Sequence, residues 1–81
     1  MKKYTIKNRY TDKIIAEMEA ESLKEVVVKN KANLQEANLQ EADLCGADLQ
    51  EADLWGAKIK TTQAKNLLNA MGIIVENLKS N

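Results

Sequence analysis

"ANLQEANLQEADLCGADLQEADLWG", residues 32–56, repeats a five-residue unit: Ala, then Asn or Asp, then Leu, then two freer positions. The leucines are Leu34, Leu39, Leu44, Leu49 and Leu54, continued by Ile59; Ala32, Ala37, Ala42, Ala47, Ala52 and Ala57 each stand two places earlier. On an α-helix at about 100° per residue, a step of five advances about 140°, so these leucines would spiral around the cylinder and leave no buried stripe. A straight strand fails as well. Five is odd, and successive leucines would face opposite sides of the sheet.

Both conflicts vanish if each Ala-x-Leu is a short extended piece and the next two residues turn a corner of about 90°. Four units then close a square coil with its Leu and Ala inside, and coils stacked at about 4.8 Å satisfy one another's backbone groups. A fixed period is the expected signature of such a solenoid.

The units "ANLQE", "ANLQE", "ADLCG", "ADLQE", "ADLWG" and the degenerate "AKIKT" resemble the pentapeptide-repeat family over residues 32–61. That resemblance implies a right-handed, four-sided β-helix with the central Leu and the preceding small residue pointing inward. The expected fold is mainly β: a short right-handed four-sided β-helix of about one and a half coils. Residues 1–31 form an N-terminal hairpin and helix cap and residues 62–81 a C-terminal helix and strand cap, all within one domain. A coil of four units places Leu34 under Leu54, Leu39 under Ile59 and Ala32 under Ala52. On the outside, Asn33 meets Asp53 and Asn38 meets Lys58.

In the flanks, "YTIKNRYTDKIIAEMEA" reads as a hairpin turning around Thr11 and Asp12, with Tyr4, Ile6 and Tyr10, then Ile14, Ala16 and Met18, alternating on its strands. Ser22 with Glu25 is a capping box that starts a helix over about 22–31, with Leu23, Val26 and Val27 on its buried face. Thr62 caps a second helix in which Ala64, Leu67, Leu68 and Met71 share one side; Gly72 ends it, and "IIVE" reads as a strand.

The chain has 81 residues with 12 basic and 12 acidic side chains, and the balance is uneven along it. Residues 1–31 carry eight Lys or Arg against five acids, and 58–81 carry four Lys against Glu76. Between them, 32–57 carry Glu36, Glu41, Asp43, Asp48, Glu51 and Asp53 and no base. An acidic middle argues against direct nucleic-acid binding, which needs a basic patch. No apolar run approaches the roughly 20 residues of a membrane span, and the start lacks a signal-peptide apolar block. The single Cys45 excludes an internal disulfide framework and suits a cytoplasmic location.

Catalysis has little to draw on, because there is no His, no Gly-rich phosphate loop and no nucleophile with a base. The chain is expected to be no enzyme and to hold no cofactor or metal, since five-residue spacing sends Asp43, Asp48 and Asp53 to different sides. Cys45 falls at an outward corner. Trp55 stands in an outward column and is expected to pack against the hairpin or a helix; with Glu36, Glu41, Asp43, Asp48, Glu51 and Asp53 it makes up the candidate interaction surface. The leading functional expectation is a structural or protein-interaction module that forms a homodimer through a β-helix end or the C-terminal strand and binds a protein partner, with no membrane contact.

The resemblance also implies a rival, because some pentapeptide-repeat proteins imitate duplex DNA and occupy type II topoisomerases such as gyrase. One and a half coils rise only about 10 Å, under a third of the roughly 34 Å of a DNA turn. The inward leucines carry the fold whichever reading holds. Truncating Leu44 to Ala should cost about 2–5 kcal/mol in urea unfolding, a large share of a small domain's stability.

Overall fold

In the computed structural model, which describes residues 1–71, the corners are backbone turns repeated every five residues. The amides of Ala37, Ala42, Ala47, Ala52 and Ala57 each donate to the carbonyl of the Leu three residues earlier, at 2.9–3.1 Å. Four such turns bring the chain back above itself. Asn38–Leu39 (β3) pairs in parallel with Lys58–Ile59 (β4), with Leu39 opposite Ile59 and Asn38 opposite Lys58 as the twenty-residue circuit requires. Around this pair, the N–H of Leu34 donates to Asp53 O, that of Glu36 to Trp55 O, and that of Lys58 to Ala37 O. The result is β-helix-like, held by turns and axial bonds with little regular strand.

Inside, Leu34, Ala37, Leu39, Ala42, Leu44, Ala47 and Leu49 are all buried, whereas Ala52, Leu54, Ala57 and Ile59 of the second circuit are half-buried. Ala32 departs from the expected pattern: it is exposed, so it does not stack inward beneath Ala52. Residues Lys31–Asn33 form a 3₁₀ turn that carries the chain out of the preceding helix, and Asp53 N–H donates to Lys31 O across it. The first inward residue is therefore Leu34.

Below the coil lies the N-terminal unit. Lys2–Lys7 (β1) and Ile14–Ala20 (β2) form an antiparallel hairpin with Tyr4 opposite Met18 and Ile6 opposite Ala16. The register then shifts to Lys7 opposite Ile14, and this bulge turns Ile14 outward, to 57 % exposure, against the expected alternation. Tyr10 also leaves the strand pattern, because Asn8 Oδ1 accepts from the N–H groups of Tyr10 and Thr11 and folds residues 8–13 into the loop. The helix α1 (Leu23–Lys29) starts as expected: Glu25 N–H donates to Ser22 Oγ at 3.2 Å. The return arm differs by one residue, since Glu25 Oε1 accepts from Glu21 N–H at 2.8 Å, and that bond, with Lys29 beside it, holds the Glu25 carboxyl below its usual range. Ile6, Ala20, Val26 and Val27 join the buried cluster of the coil. Arg9 N–H donates to Glu36 O and Lys24 Nζ to Cys45 O, so both hairpin and helix satisfy carbonyls of the first circuit.

Above the first circuit the second stops half-way. A 3₁₀ turn, Thr61–Gln63, leads into α2 (Ala64–Ala70), and this short helix lies where the remaining two units would have stood. Leu44 N–H, which a further unit would have met with a backbone carbonyl, donates to the Gln63 side-chain Oε1 at 2.9 Å. Leu49 N–H donates to Ala70 O at 2.8 Å. The helix faces the coil with Gln63, Asn66, Leu67, Ala70 and Met71, while Ala64 and Leu68 are exposed, which corrects the expected shared face. Thr62 does not cap it: the N-cap residue is Gln63, without a side-chain cap bond, because its oxygen is committed to Leu44. The expected strand after Gly72 lies outside the described residues.

Removing this surrogate acceptor should be felt locally. Gln63→Ala is expected to destabilise by about 1–3 kcal/mol, the cost of orphaning a buried donor, and to speed hydrogen exchange at the Leu44 amide, with Gln63→Glu milder on both counts.

The corners give a second measurement. Glu36, Gly46, Glu51 and Gly56, each the last residue of its unit, have φ of 58°, 76°, 64° and 73°. Left-handed backbone costs a non-glycine residue about 1–2 kcal/mol, offset in part by the entropy a glycine loses on folding. Exposed Glu51 is therefore a site where Glu51→Gly should stabilise by about 0.5–1 kcal/mol in urea unfolding. Gly56→Ala should destabilise by about 1–2 kcal/mol, since a Cβ there would also lie 3.2 Å from Glu36 Cγ.

Candidate interaction surface

Four units of the coil commit one polar side chain to their own backbone. The carboxylate or amide at the second position closes the corner that follows it: Asn38 Oδ1 accepts from Gln40 N–H, Asp43 from Cys45 N–H, Asp48 from Gln50 N–H and Asp53 from Trp55 N–H, at 3.0–3.4 Å. These are Asx turns, in which a short side chain takes the place of a turn carbonyl. The Asn-or-Asp rule of the repeat thus has a structural cause that charge alone did not reveal. The signal was present in the sequence as an Asx residue at a constant two-residue offset before each outward corner.

The candidate acids are not brought together by the fold. Asp43, Asp48 and Asp53 serve three successive corners, and among the described residues there is no group of three His, Cys, Asp or Glu side chains placed to hold a metal. Asp53 has a second bond, from Gln35 Nε2 at 2.7 Å, which ties it to the circuit below. Asp48 lies 4.0 Å from Lys31 Nζ. Glu51 is exposed, and Glu41 borders two open depressions between the coil and the N-terminal unit, one lined also by Lys7 and the other by Lys24. Mixed charge and open walls give these depressions no set of groups suited to catalysis. Cys45 is exposed at its corner, as the spacing predicts.

Glu36 is a joint. It is half-buried, its N–H donates to Trp55 O, its carbonyl accepts from Arg9 N–H, and its Oε1 accepts from Asn8 Nδ2 at 3.3 Å. Asn8 also bridges antiparallel to Ala37. This joint fixes the hairpin loop against the corner that carries Trp55.

Trp55 is 70 % exposed, contrary to the expectation that the hairpin or a helix covers it. The reason lies one residue on: the loop docks on the backbone of that corner, with Arg9 Nη1 donating to Gly56 O at 3.1 Å, and leaves the indole outside. The same guanidinium stands 4.8 Å from the centre of the Tyr10 ring, which is itself 67 % exposed. Arg9 and Tyr10 are thereby brought to the corner that carries Trp55, from a segment 45 residues away in sequence. Only Trp55 was recognisable beforehand, because the docking of the loop is a tertiary event.

Residues 30–62 match the family model described as Pentapeptide repeats, in 8 copies. Neither a curated protein nor a solved structure matches the chain. The matched segment includes all five corners, the parallel pair and the inward leucines, and over it the chain is similar to the pentapeptide-repeat family.

Proposed function

We propose that the chain is a non-enzymatic protein-interaction module whose contact surface centres on Trp55, Arg9 and Tyr10. In this reading, residues 1–31 and 62–81 close the ends of a right-handed, four-sided coil of about one and a half turns over residues 32–61, and the three parts form one cytoplasmic domain. The observation that carries it is the exposed Trp55 on a corner to which Arg9 bonds, with the exposed Tyr10 ring against that guanidinium. Trp, Tyr and Arg are the residues most enriched among energetic anchors of protein interfaces. The absence of His from the sequence, and the engagement of Asp43, Asp48 and Asp53 in corner bonds, support a binding role over a catalytic one.

The acidic faces keep the topoisomerase reading as the competitor, and self-association through a β-helix end or the C-terminal strand as an added property. One set of measurements separates them. A tagged chain and its Trp55→Ala and Tyr10→Ala variants are used to recover partners from the native host, with thermal unfolding run in parallel. The proposal expects a specific protein whose recovery falls at least tenfold with Trp55→Ala, while unfolding moves by less than about 0.5 kcal/mol, as for surface substitutions generally. Equal recovery by the variants would refute the patch. Inhibition of gyrase supercoiling that survives Trp55→Ala, together with long assemblies in light scattering, would transfer the function to DNA mimicry.

A further inference from the structure

At the last corner of the coil a cation is fixed in place by a neutral group. The loop that carries it is fastened at several points: Asn8 N–H donates to Lys13 O, Asp12 N–H to Asn8 O and Arg9 N–H to Glu36 O, while Asn8 Oδ1 accepts from the amides of Tyr10 and Thr11. The Arg9 side chain is held as well. Its Nη1 donates to Gly56 O at 3.1 Å, and the guanidinium lies 4.8 Å from the centre of the Tyr10 ring. A guanidinium presents its N–H donors as a planar fork, in which two parallel donors match the two oxygens of a carboxylate. The bond from Nη1 does not use the Nε–Nη2 edge, which is one such pair, and Arg9 is exposed.

The carboxylates that the fold sets at this joint are committed to other donors. Glu36 lies against Gly56, with its Cγ 3.2 Å from where a Cβ at Gly56 would stand, yet its Oε1 accepts from Asn8 Nδ2. Asp53 accepts from Trp55 N–H through one oxygen and from Gln35 Nε2 through the other. The corner therefore takes hold of Arg9 through a carbonyl, and the positive charge stays at the surface. Two aromatic side chains complete the chemistry. Tyr10 carries the guanidinium against its ring, Trp55 directly precedes the carbonyl that binds it, and the two are 67 % and 70 % exposed.

Resting on the reading of this corner as a contact surface, we propose that its partner is a protein segment presenting one Asp or Glu carboxylate next to a large apolar side chain. The carboxylate pairs with the Nε–Nη2 edge of Arg9, and the apolar side chain lies on Trp55. One guanidinium suits one carboxylate. Recognition of phosphate gathers several arginines, and a polyanion is disfavoured here by Asp12 in the same loop and by Glu36 and Asp53 at the joint. Lysine could not take the place of Arg9, because an ammonium is a point charge without the fork. Holding the guanidinium beforehand also lowers the ordering cost of the contact.

The test selects peptides on the full chain from a phage-displayed random library and discards those that bind Trp55→Ala equally well. Trp55 is the only tryptophan, so its fluorescence reports the binding of a synthetic copy of a selected peptide. Selected peptides should share an Asp or Glu beside Leu, Ile, Phe or Trp. Such a peptide should bind Arg9→Lys at least about tenfold more weakly, and should lose as much on the natural chain when its own acid is changed to the amide. Both changes together should cost little more than either, because they remove the same pair. The change in the peptide leaves the protein untouched, so the result does not hang on how well the Arg9 variant folds. Selected peptides without an acid, or acidic ones that bind Arg9→Lys as tightly, would overturn the inference and leave Trp55 as a contact residue. Tighter binding with phosphoserine in place of the acid would overturn it in favour of phosphate. A library that yields nothing dependent on Trp55 would overturn it too, whereas the corner as a contact surface stands or falls by the recovery of a host protein.

Discussion

Everything in this protein depends on the bond from each Ala N–H back to the Leu carbonyl three residues earlier. It closes a corner inside the chain, and so leaves only the groups between corners to bond along the axis. Five residues is the shortest unit that accommodates such a corner and an inward pair. The remaining positions follow from the same bond. The second residue supplies a side-chain oxygen to the amide two places on, and the fifth adopts left-handed backbone at four of the five corners. Glycine meets that last demand at 46 and 56; glutamate meets it at 36 and 51 under strain, compensated at Glu36 by its bonds to the hairpin loop.

A coil this short has as much end as middle, and its ends govern its stability. Stacked repeats draw their stability from neighbouring layers and require caps. Here the lower layer is the hairpin with α1, which bury Ile6, Ala20, Val26 and Val27 against the leucines and reach carbonyls of the first circuit through Arg9 and Lys24. The upper layer is α2, where a helix cannot offer its carbonyls sideways to a ladder, since they are spent on its own bonds. Both solutions to this problem are visible. Gln63 substitutes a side-chain amide for a backbone carbonyl, and Ala70 uses a carbonyl from the last turn, one of those a helix leaves free.

The period of five made the corners, the inward set and the pairing of Leu39 with Ile59 legible in the sequence, because no helix or flat strand buries residues at that interval. Ser22 and Glu25 announced α1 for a similarly local reason. What escaped was whatever depended on a neighbour distant in sequence. Ala32 reads as a repeat alanine, yet the 3₁₀ turn needed to leave α1 lifts it out. Thr62 reads as a cap, yet the demand of Leu44 for an acceptor draws Gln63 into that role and rotates the helix face. A bulge in β2, invisible in the alternation of apolar residues, turns Ile14 to solvent. The aspartates read as surface charge because charge is visible in composition, whereas their bonds to amides two residues later belong to the geometry of the corner.

This distribution of duties bears on where recognition can reside. From Leu34 on, the first and third positions of the unit are buried or half-buried, the second is tied to a corner amide at Asn38, Asp43, Asp48 and Asp53, and the fifth is left-handed at four corners. Only the fourth position, occupied by Gln35, Gln40, Cys45, Gln50 and Trp55, carries no recurring structural task. A side chain there changes the surface at little cost to the fold. In three of the five units the position holds glutamine, and in the last it holds the indole, at the corner where Glu36 and Arg9 fasten the hairpin loop. The most adaptable column of the coil thus meets the most firmly anchored part of its cap. A large aromatic left 70 % exposed on a corner held by several hydrogen bonds has little backbone freedom to lose when covered, which is why the proposed contact surface centres on this corner rather than on the acidic faces.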